Sequence, residues 1–508
     1  MTERDLLTAI RADLDDDTPR LACAAWFEEN GHPARAEFIR LQCELARLPF
    51  WSERRAALLA RSEELLQAES GQWLGALLAK PGTGAKVAVS NLGGGAWMGM
   101  RSAEEFYYGR EPFLELGFCR GFLDEAHCDP RTFIAVADAL VRHTPVRRVW
   151  LRDDGLETLG QVLACEQLRE IPVLALSGHS FGSEGMAVLT DSGGLSRLRG
   201  LDLSGNELTP DDVERLAASP DAAGLEVLDL GQENEGGHWD THNVHNSAGD
   251  RGLAAIAGSP HFGNLRRLDL EYNGIGPDGV IALAASRHLR SLRELVLDGN
   301  AVCAVGVWAL AGARGLGNLE TLSLESNDLE ADAGPDMFEG DGLMGLRQLN
   351  LSNTRLGDRG ARALAAAAQF ARLRVLNLCG CEIGLEGIQA LANCPHLAAL
   401  TSLYLGFNPL GDEGLKTLAR SSFLRNVRTL DLSDCRVGDA GAMALARSDS
   451  WHLESLYLGL NAGPDQPPGW PSALPFGVVR NAITGAVLSE LRERFAMVRA
   501  QGPGDPFP

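Results

Sequence analysis

The chain has 508 residues, 45% of them hydrophobic, and a formal net charge of −22. That length exceeds one ordinary hydrophobic core, so several domains or a repeat array are expected. The acidic balance repels phosphate backbones and anionic lipid headgroups, which sets aside nucleic acid and membrane surfaces and leaves basic proteins as partners. No run reaches the ~18 apolar residues of a membrane span, and the acidic start MTERDLLTAIRADLDDD does not read as a secretory leader. The ten cysteines have no zinc-type spacing, so they read as free thiols in a reducing cytoplasm.

Residues 1–79 read as helices. Thr2 caps a first helix carrying Leu6, Leu7 and Ile10, and Thr18-Pro19 supplies a cap and an N-terminal proline for a second that stops at Gly31. Pro33 opens a third, with Phe38, Leu41, Leu45 and Leu48 on one stripe, and Ser52 opens a fourth. The run from Asp15 to Leu48 includes Asp16-Asp17-Thr18-Pro19-Arg20-Leu21, Trp26, Gly31 and Arg35-Ala36-Glu37-Phe38-Ile39-Arg40. It resembles the small repeat-companion domain at the N-terminus of many bacterial leucine-rich-repeat proteins, departing from it at Cys23-Ala24-Ala25-Trp26-Phe27. The resemblance implies a fold and its company but no activity. The charged set Asp16, Asp17, Arg20 and Arg35 is read as caps and ion pairs, with a site as the alternative.

Residues 80–113 are Gly-rich and read as an irregular linker; Gly82-Thr83-Gly84-Ala85-Lys86 lacks the spacing of a phosphate loop. Residues 114–145 read as an N-terminal cap, with one strand over Phe118–Leu123 and a helix from Pro130 to His143. Then a period takes over. Leu373, Leu376, Leu378, Cys381 and Ile383 recur 27 residues on as Leu400, Leu403, Leu405, Asn408 and Leu410, and again as Val427, Leu430, Leu432, Cys435 and Val437. This is the leucine-rich-repeat pattern L-x-x-L-x-L-x-x-N/C-x-L. Repeats start at Val146, Ile171, Leu198, Leu225, Leu265, Leu292, Leu319, Leu346, Leu373, Leu400, Val427 and Leu453, with spacings of 27 except for 25, 40 and 26. A second apolar ladder follows eighteen residues after most starts, from Leu189 to Leu445, behind helix starts such as Asp358, Asp412 and Asp439. Units of this length with an outer helix resemble the ribonuclease-inhibitor-like class. The fold class expected is therefore a right-handed α/β leucine-rich-repeat solenoid over 146–461, a horseshoe with parallel strands on the concave side and helices on the convex side. After Asn461 the register is read as ending, with a Pro-rich loop, a C-terminal capping helix and a disordered tail over 462–508.

Strand side chains alternate, so the residues flanking each strand Leu face the concave surface. There the third to seventh repeats present Asp202, Asp229, Asp269, Glu271, Glu294, Asp298 and Glu325, with Arg267 alone breaking the sign. Arg148, Trp150 and Arg152 lie at one end; Tyr404, Phe407, Tyr457 and Leu460 lie near the other. An acidic stripe beside aromatics suits a basic protein partner; the alternative is that Asp simply recurs in L-D-L-S-G-N repeats. The 40-residue repeat holds an insertion, placed at 231–250, with His238, Trp239, Asp240, His242 and His245. It reads as a partner-contacting loop or a tolerated insertion; a metal site is the third reading, although neither a Cys nor an H-E-x-x-H pattern supports it. No catalytic constellation is present and no cofactor is implied. The chain reads as a monomeric protein-binding scaffold rather than an enzyme, the alternatives being a substrate-selecting adaptor of an enzyme complex or a GTPase-activating repeat protein.

Overall fold

The computed structural model describes residues 2–48, 53–75, 86–91, 113–152, 156–232, 246–329, 334–459 and 481–499. Four helices open the chain, Glu3–Ala12, Asp17–Glu29, Pro33–Arg47 and Glu53–Trp73. Thr2 caps the first through a reciprocal box with Asp5. The second begins earlier than the Thr18-Pro19 pair suggests, because Asp16 is the cap and accepts from the Thr18 amide at 2.8 Å. Pro19 then falls on the third helical residue, where the missing N–H has no intrahelical partner to lose. Ser52 lies outside the described residues. Asp17 pairs with Arg47 at 2.8 Å, and buried Arg20 donates to the carbonyls of Asp16 and Leu14.

These helices share a core with the first strands of the solenoid. Leu6, Ile10, Cys23, Ile39 and Cys43 pack around Phe122 of its sheet. Phe118 and Phe122 belong to a hairpin, not to one strand as the sequence suggests: β2 (Phe113–Cys119) and β3 (Phe122–Cys128) pair antiparallel around Arg120-Gly121. Both turn residues have positive φ, +50° and +83°, which is the two-residue turn that matches strand twist. Gly121 is also required by contact, since a Cβ there would sit 2.5 Å from the Ile39 Cα. Its amide donates to Gln42 at 2.8 Å, and Arg147 reaches the Leu14 carbonyl at 2.8 Å and Asp15 at 3.0 Å. The helical unit is thereby clamped to the solenoid. Within 80–113, read as irregular, Lys86–Asn91 forms strand β1, parallel to β2; the alternation Val87-Ala88-Val89 is a strand signal that the surrounding glycines obscure.

From β1 to β16 (Val498–Arg499) the strands lie side by side in sequence order, parallel except for the β2–β3 hairpin. The central Leu of each strand pairs with the next, as in Leu349, Leu376, Leu403 and Leu430. One continuous core runs from Phe38 to Phe495. The sheet does not close, and its first and last strands are β1 and β16. The architecture is an open α/β solenoid of leucine-rich repeats preceded by helices.

The ladder residues close each turn. Asn408 donates to the carbonyls of Leu378 and Leu405 at 2.7 and 2.9 Å and accepts from the Ile383 amide. Cys381 and Cys435 take the same place, their thiols donating to Leu351 and Leu405. On the helix side, the Asp of one repeat caps the next helix: Asp358 accepts from Gly384 and Gly387, and Asp412 from Gly438 and Gly441. One repeat departs from the helical rule. Among the described residues between Leu329 and Leu346 there are turns only, because glycines at 334, 340, 342 and 345 break the helix while Met337 and Phe338 still fill the core.

Two ladder positions are displaced by insertions. Regular repeats place the ladder residue three after the second strand-side Leu, as Asn408 follows Leu405. In the 40-residue repeat it is Asn246, sixteen after Leu230, which donates to the Leu203 and Leu230 carbonyls and accepts from Asn206 and Leu208. The insertion therefore sits before the ladder residue, over 233–245. The last repeat does likewise. The register does not end at Asn461: Asn481 donates to Leu432 and Leu458, and Ile483 and Leu491 resume the buried pattern. Asn461 holds the expected spacing but lies outside the described residues.

Candidate functional site on the concave face

The residue after each strand Leu forms one row along the concave side. Register places His127, Trp150, Ala175, Asp202, Asp229 and Asp269 in direct succession. Three carboxylates thus stand on adjacent strands, about 5 Å apart at the backbone. Repulsion is partly relieved locally. Asp202 accepts from the Ser204 amide and hydroxyl, Asp229 from the Gly231 amide, and Asp269 from the Glu271 amide and, at 3.0 Å, from Arg267. Arg267 also pairs with Glu294, its in-register neighbour. The cation set among these acids is thus neutralised from two sides.

A second row stands two residues further along each repeat: Glu271, Asp298 and Glu325. The ladder continues between them, the Tyr272 amide donating to Asp298 and that of Gly299 to Glu325. Asp298 accepts from the Ser323 hydroxyl at 2.8 Å and the Glu325 amide at 2.7 Å, while Glu325 accepts from Asn350 and Asn353. Tyr272 is 43% exposed, and Gly299 is required beneath it because a Cβ there would meet its ring at 2.3 Å.

The curved sheet surrounds these carboxyls with protein even where they keep some water-accessible surface. Burial pushes Asp229 well above the ordinary aspartate range, and the neighbouring Asp269 and Asp202 add to it. Asp269 is raised by burial against the opposing pull of Arg267. Asp298 is raised to about 7 by burial, its hydrogen bonds opposing the rise. With its pKa at about 7, Asp298 keeps part of a proton near neutral pH that an ordinary surface aspartate has lost.

Tyr404 and Tyr457 occupy the first row, but away from the acids of the third to seventh repeats. Val296, Ser323, Asn350 and Asn377 separate Asp269 from Tyr404. At ~4.8 Å per strand, the five steps span about 24 Å. Asp431, which the charge pattern of the third to seventh repeats does not include, stands in register between Tyr404 and Tyr457. It is fully buried, accepts from the Ser433 amide and hydroxyl, and is raised by that burial. Its signal is present in the sequence, since L-D-L-S at 430–433 places it where Asp202 sits in L-D-L-S at 201–204. Phe407 is 45% exposed on a left-handed turn, and Arg499 lies 5.8 Å from the Tyr457 ring centroid. At the other end Trp150 is buried with Phe113 and Ala175, and its Nε1 donates to Ser177. Arg152 stacks on Phe113 at 4.6 Å, and Arg148 approaches Glu125 at 3.9 Å.

His238, Trp239, Asp240, His242 and His245 lie outside the described residues, as does Leu460. The insertion's point of departure is described: Gly231, within Cβ contact distance of the Asp229 and Asp269 carboxyls. Among the described residues no cluster of His, Cys, Asp and Glu could hold a metal ion, and no helix is long and apolar enough to cross a membrane. All ten cysteines are free.

Over part of the chain these repeats are similar in sequence to a known repeat family. The family pattern described as leucine-rich repeat matches residues 264–284, 345–365, 373–392, 396–419 and 423–446. No curated protein matches the chain. Among solved structures, the chain is similar to one titled as a TLR13–ssRNA13 complex, at 21% identity and a TM-score of 0.40, covering 62% of this chain and 40% of that one. It is also similar to the mouse RP105/MD-1 complex (19%, TM-score 0.43, 70% of this chain and 55% of that one). An internalin from Listeria monocytogenes is a third (19%, TM-score 0.32, 56% of this chain and 87% of that one). The chain thus spans about half the length or less of the first two.

Proposed function

We propose that this protein is an interaction scaffold whose concave face binds a basic segment of a partner protein. The observation that carries the reading is the in-register row Asp202–Asp229–Asp269, in which the carboxyls stand on adjacent strands and burial raises Asp229 and Asp269. A guanidinium or ammonium group placed over the row would favour the ionised carboxylates that burial disfavours at Asp229 and Asp269. The exposed Tyr272 and Phe407 offer apolar contact along the same face. The chain enters the insertion at Gly231, beside the Asp229 and Asp269 carboxyls, which supports a role for the insertion in meeting the same partner.

The reading is tested by calorimetric titration of the full chain with an arginine-rich peptide at neutral pH, in two buffers of different ionisation enthalpy. Binding should release protons, so the observed heat should differ between buffers. Affinity should fall in the double variant Asp202→Asn/Asp229→Asn and with added salt. Binding that is independent of buffer and unaffected by the double variant would sink the proposal.

A further inference from the structure

Where the helical unit meets the first solenoid strands there is a cavity of about 200 Å3. Arg35, from the third helix, reaches it from within and is 9% exposed. Its guanidinium carbon lies 4.7 Å from the ring centroid of Trp73, 5.3 Å from Phe122, 5.6 Å from Phe38 and Phe118, and 5.9 Å from Phe27. Five aromatic faces stabilise the cation but do not neutralise it. No carboxylate forms an ion pair with Arg35 among the described residues, and its Nη1 is buried with no hydrogen-bond partner. The contrast with its neighbours is chemical. Arg20 donates to two carbonyls, and Arg147 holds Asp15 and the Leu14 carbonyl. A guanidinium taken out of water without a counter-ion is costly and is rarely left so. Burial lowers the pKa of Arg35 to about 10, which still leaves it charged at neutral pH.

The surroundings say what the missing partner is. Phe27, Trp73, Phe118 and Phe122 line the cavity with three leucines, which suits a flat apolar body, while Gln72 and Thr144 add polar groups and the buried Nη1 calls for an anionic acceptor. Exposed His32 and His143 line the mouth with Glu3. A cavity of about 150 Å3 holds benzene, so this one has room for a ring bearing one carboxylate. We propose that the cavity is a binding site for a small aromatic carboxylate, its carboxyl on Arg35 and its ring among Trp73, Phe118 and Phe122. The site lies outside the concave face and stands independently of the scaffold reading. Its walls belong to different units, so a ligand there ties the helical unit to the solenoid.

Benzoate is the probe, with benzyl alcohol as its uncharged counterpart, titrated by calorimetry into the full chain. Benzoate should bind at one site, at least about tenfold tighter than benzyl alcohol, because only it brings a negative charge and two acceptor oxygens to the guanidinium. Arg35→Met should abolish that preference while arginine-rich peptide binding is unchanged. If Arg35→Met does not fold, His143→Glu at the mouth should weaken benzoate severalfold and leave benzyl alcohol unaffected. Equal binding of the two, no benzoate binding at millimolar concentration, or a preference that survives in Arg35→Met would overturn the assignment. It would leave Arg35 as a pin between aromatic side chains.

Discussion

Asp298→Asn should stabilise the protein at alkaline pH and do little at acid pH. In the folded chain the carboxyl titrates at about 7, against an ordinary 3.8. Between those values the folded chain holds a proton that the unfolded chain has lost. The contribution is therefore fully present below about 3.8 and disappears as pH rises through about 7. At 1.36 kcal/mol per pH unit the limit is about 4 kcal/mol, and residual water access to the carboxyl makes about 2 kcal/mol the working expectation. The amide keeps the acceptor for the Glu325 amide and can donate to the Ser323 hydroxyl, so the substitution removes the titration with little lost contact. Urea unfolding of both proteins at pH 5 and pH 8 gives four stabilities. Asp229, Asp269 and Asp431 titrate in both, so their effects cancel in the double difference. A variant-minus-native difference that is the same at both pH values would refute the assignment of a desolvated, proton-holding Asp298.

Asn408→Ala should cost about 3 kcal/mol, because two buried carbonyls and one amide lose their partner; Asn408→Cys should cost clearly less, since Cys fills this role at 381 and 435, and thermal melts distinguish them. Asn246→Ala should destabilise as much as Asn408→Ala, and an effect below about 0.5 kcal/mol would remove Asn246 from the ladder. Asp358→Ala should cost about 1 kcal/mol by uncapping the next helix at Gly384 and Gly387, measurable by urea unfolding. The thiols of Cys381, raised to about 11, and of buried Cys435 should resist a disulfide reagent until the chain is unfolded, which a stopped-flow absorbance trace would show.

The fold is legible in the sequence because a solenoid repeats its own evidence. Leu376, Leu403 and Leu430 each state the same contact, and the Asn/Cys ladder states where each strand ends. What the period cannot express is anything occurring once. The hairpin at Arg120-Gly121 hides inside an apolar run, and the β1 strand sits among glycines. Asn481 is masked by Asn461, which satisfies the spacing without a described place in the ladder. The acids of the concave face can be read off in order from the sequence. Their division into two rows, the pairing of Arg267 and the 24 Å gap to Tyr404 need the strand register. Arg35 illustrates the converse. Its charge is local in sequence, but the rings around it come from residues 27 to 122, and no spacing rule joins them.

The two displaced ladder residues have an architectural consequence. Asn246 and Asn481 each restore the backbone hydrogen bonds of a regular repeat after thirteen and twenty additional residues. Closure is thus performed by one side chain that follows the excursion, and the entropic cost of a longer loop grows only logarithmically with its length. The step just before the ladder residue is accordingly a port in the scaffold. Segments of foreign length and chemistry can be spliced there, into any repeat with an Asn ladder, while strand order and core stay as they are. Because Gly231, the start of the first excursion, lies beside the Asp229 and Asp269 carboxyls, a graft at that step would begin at the strand row, and the 27-residue period would repeat such steps along the solenoid.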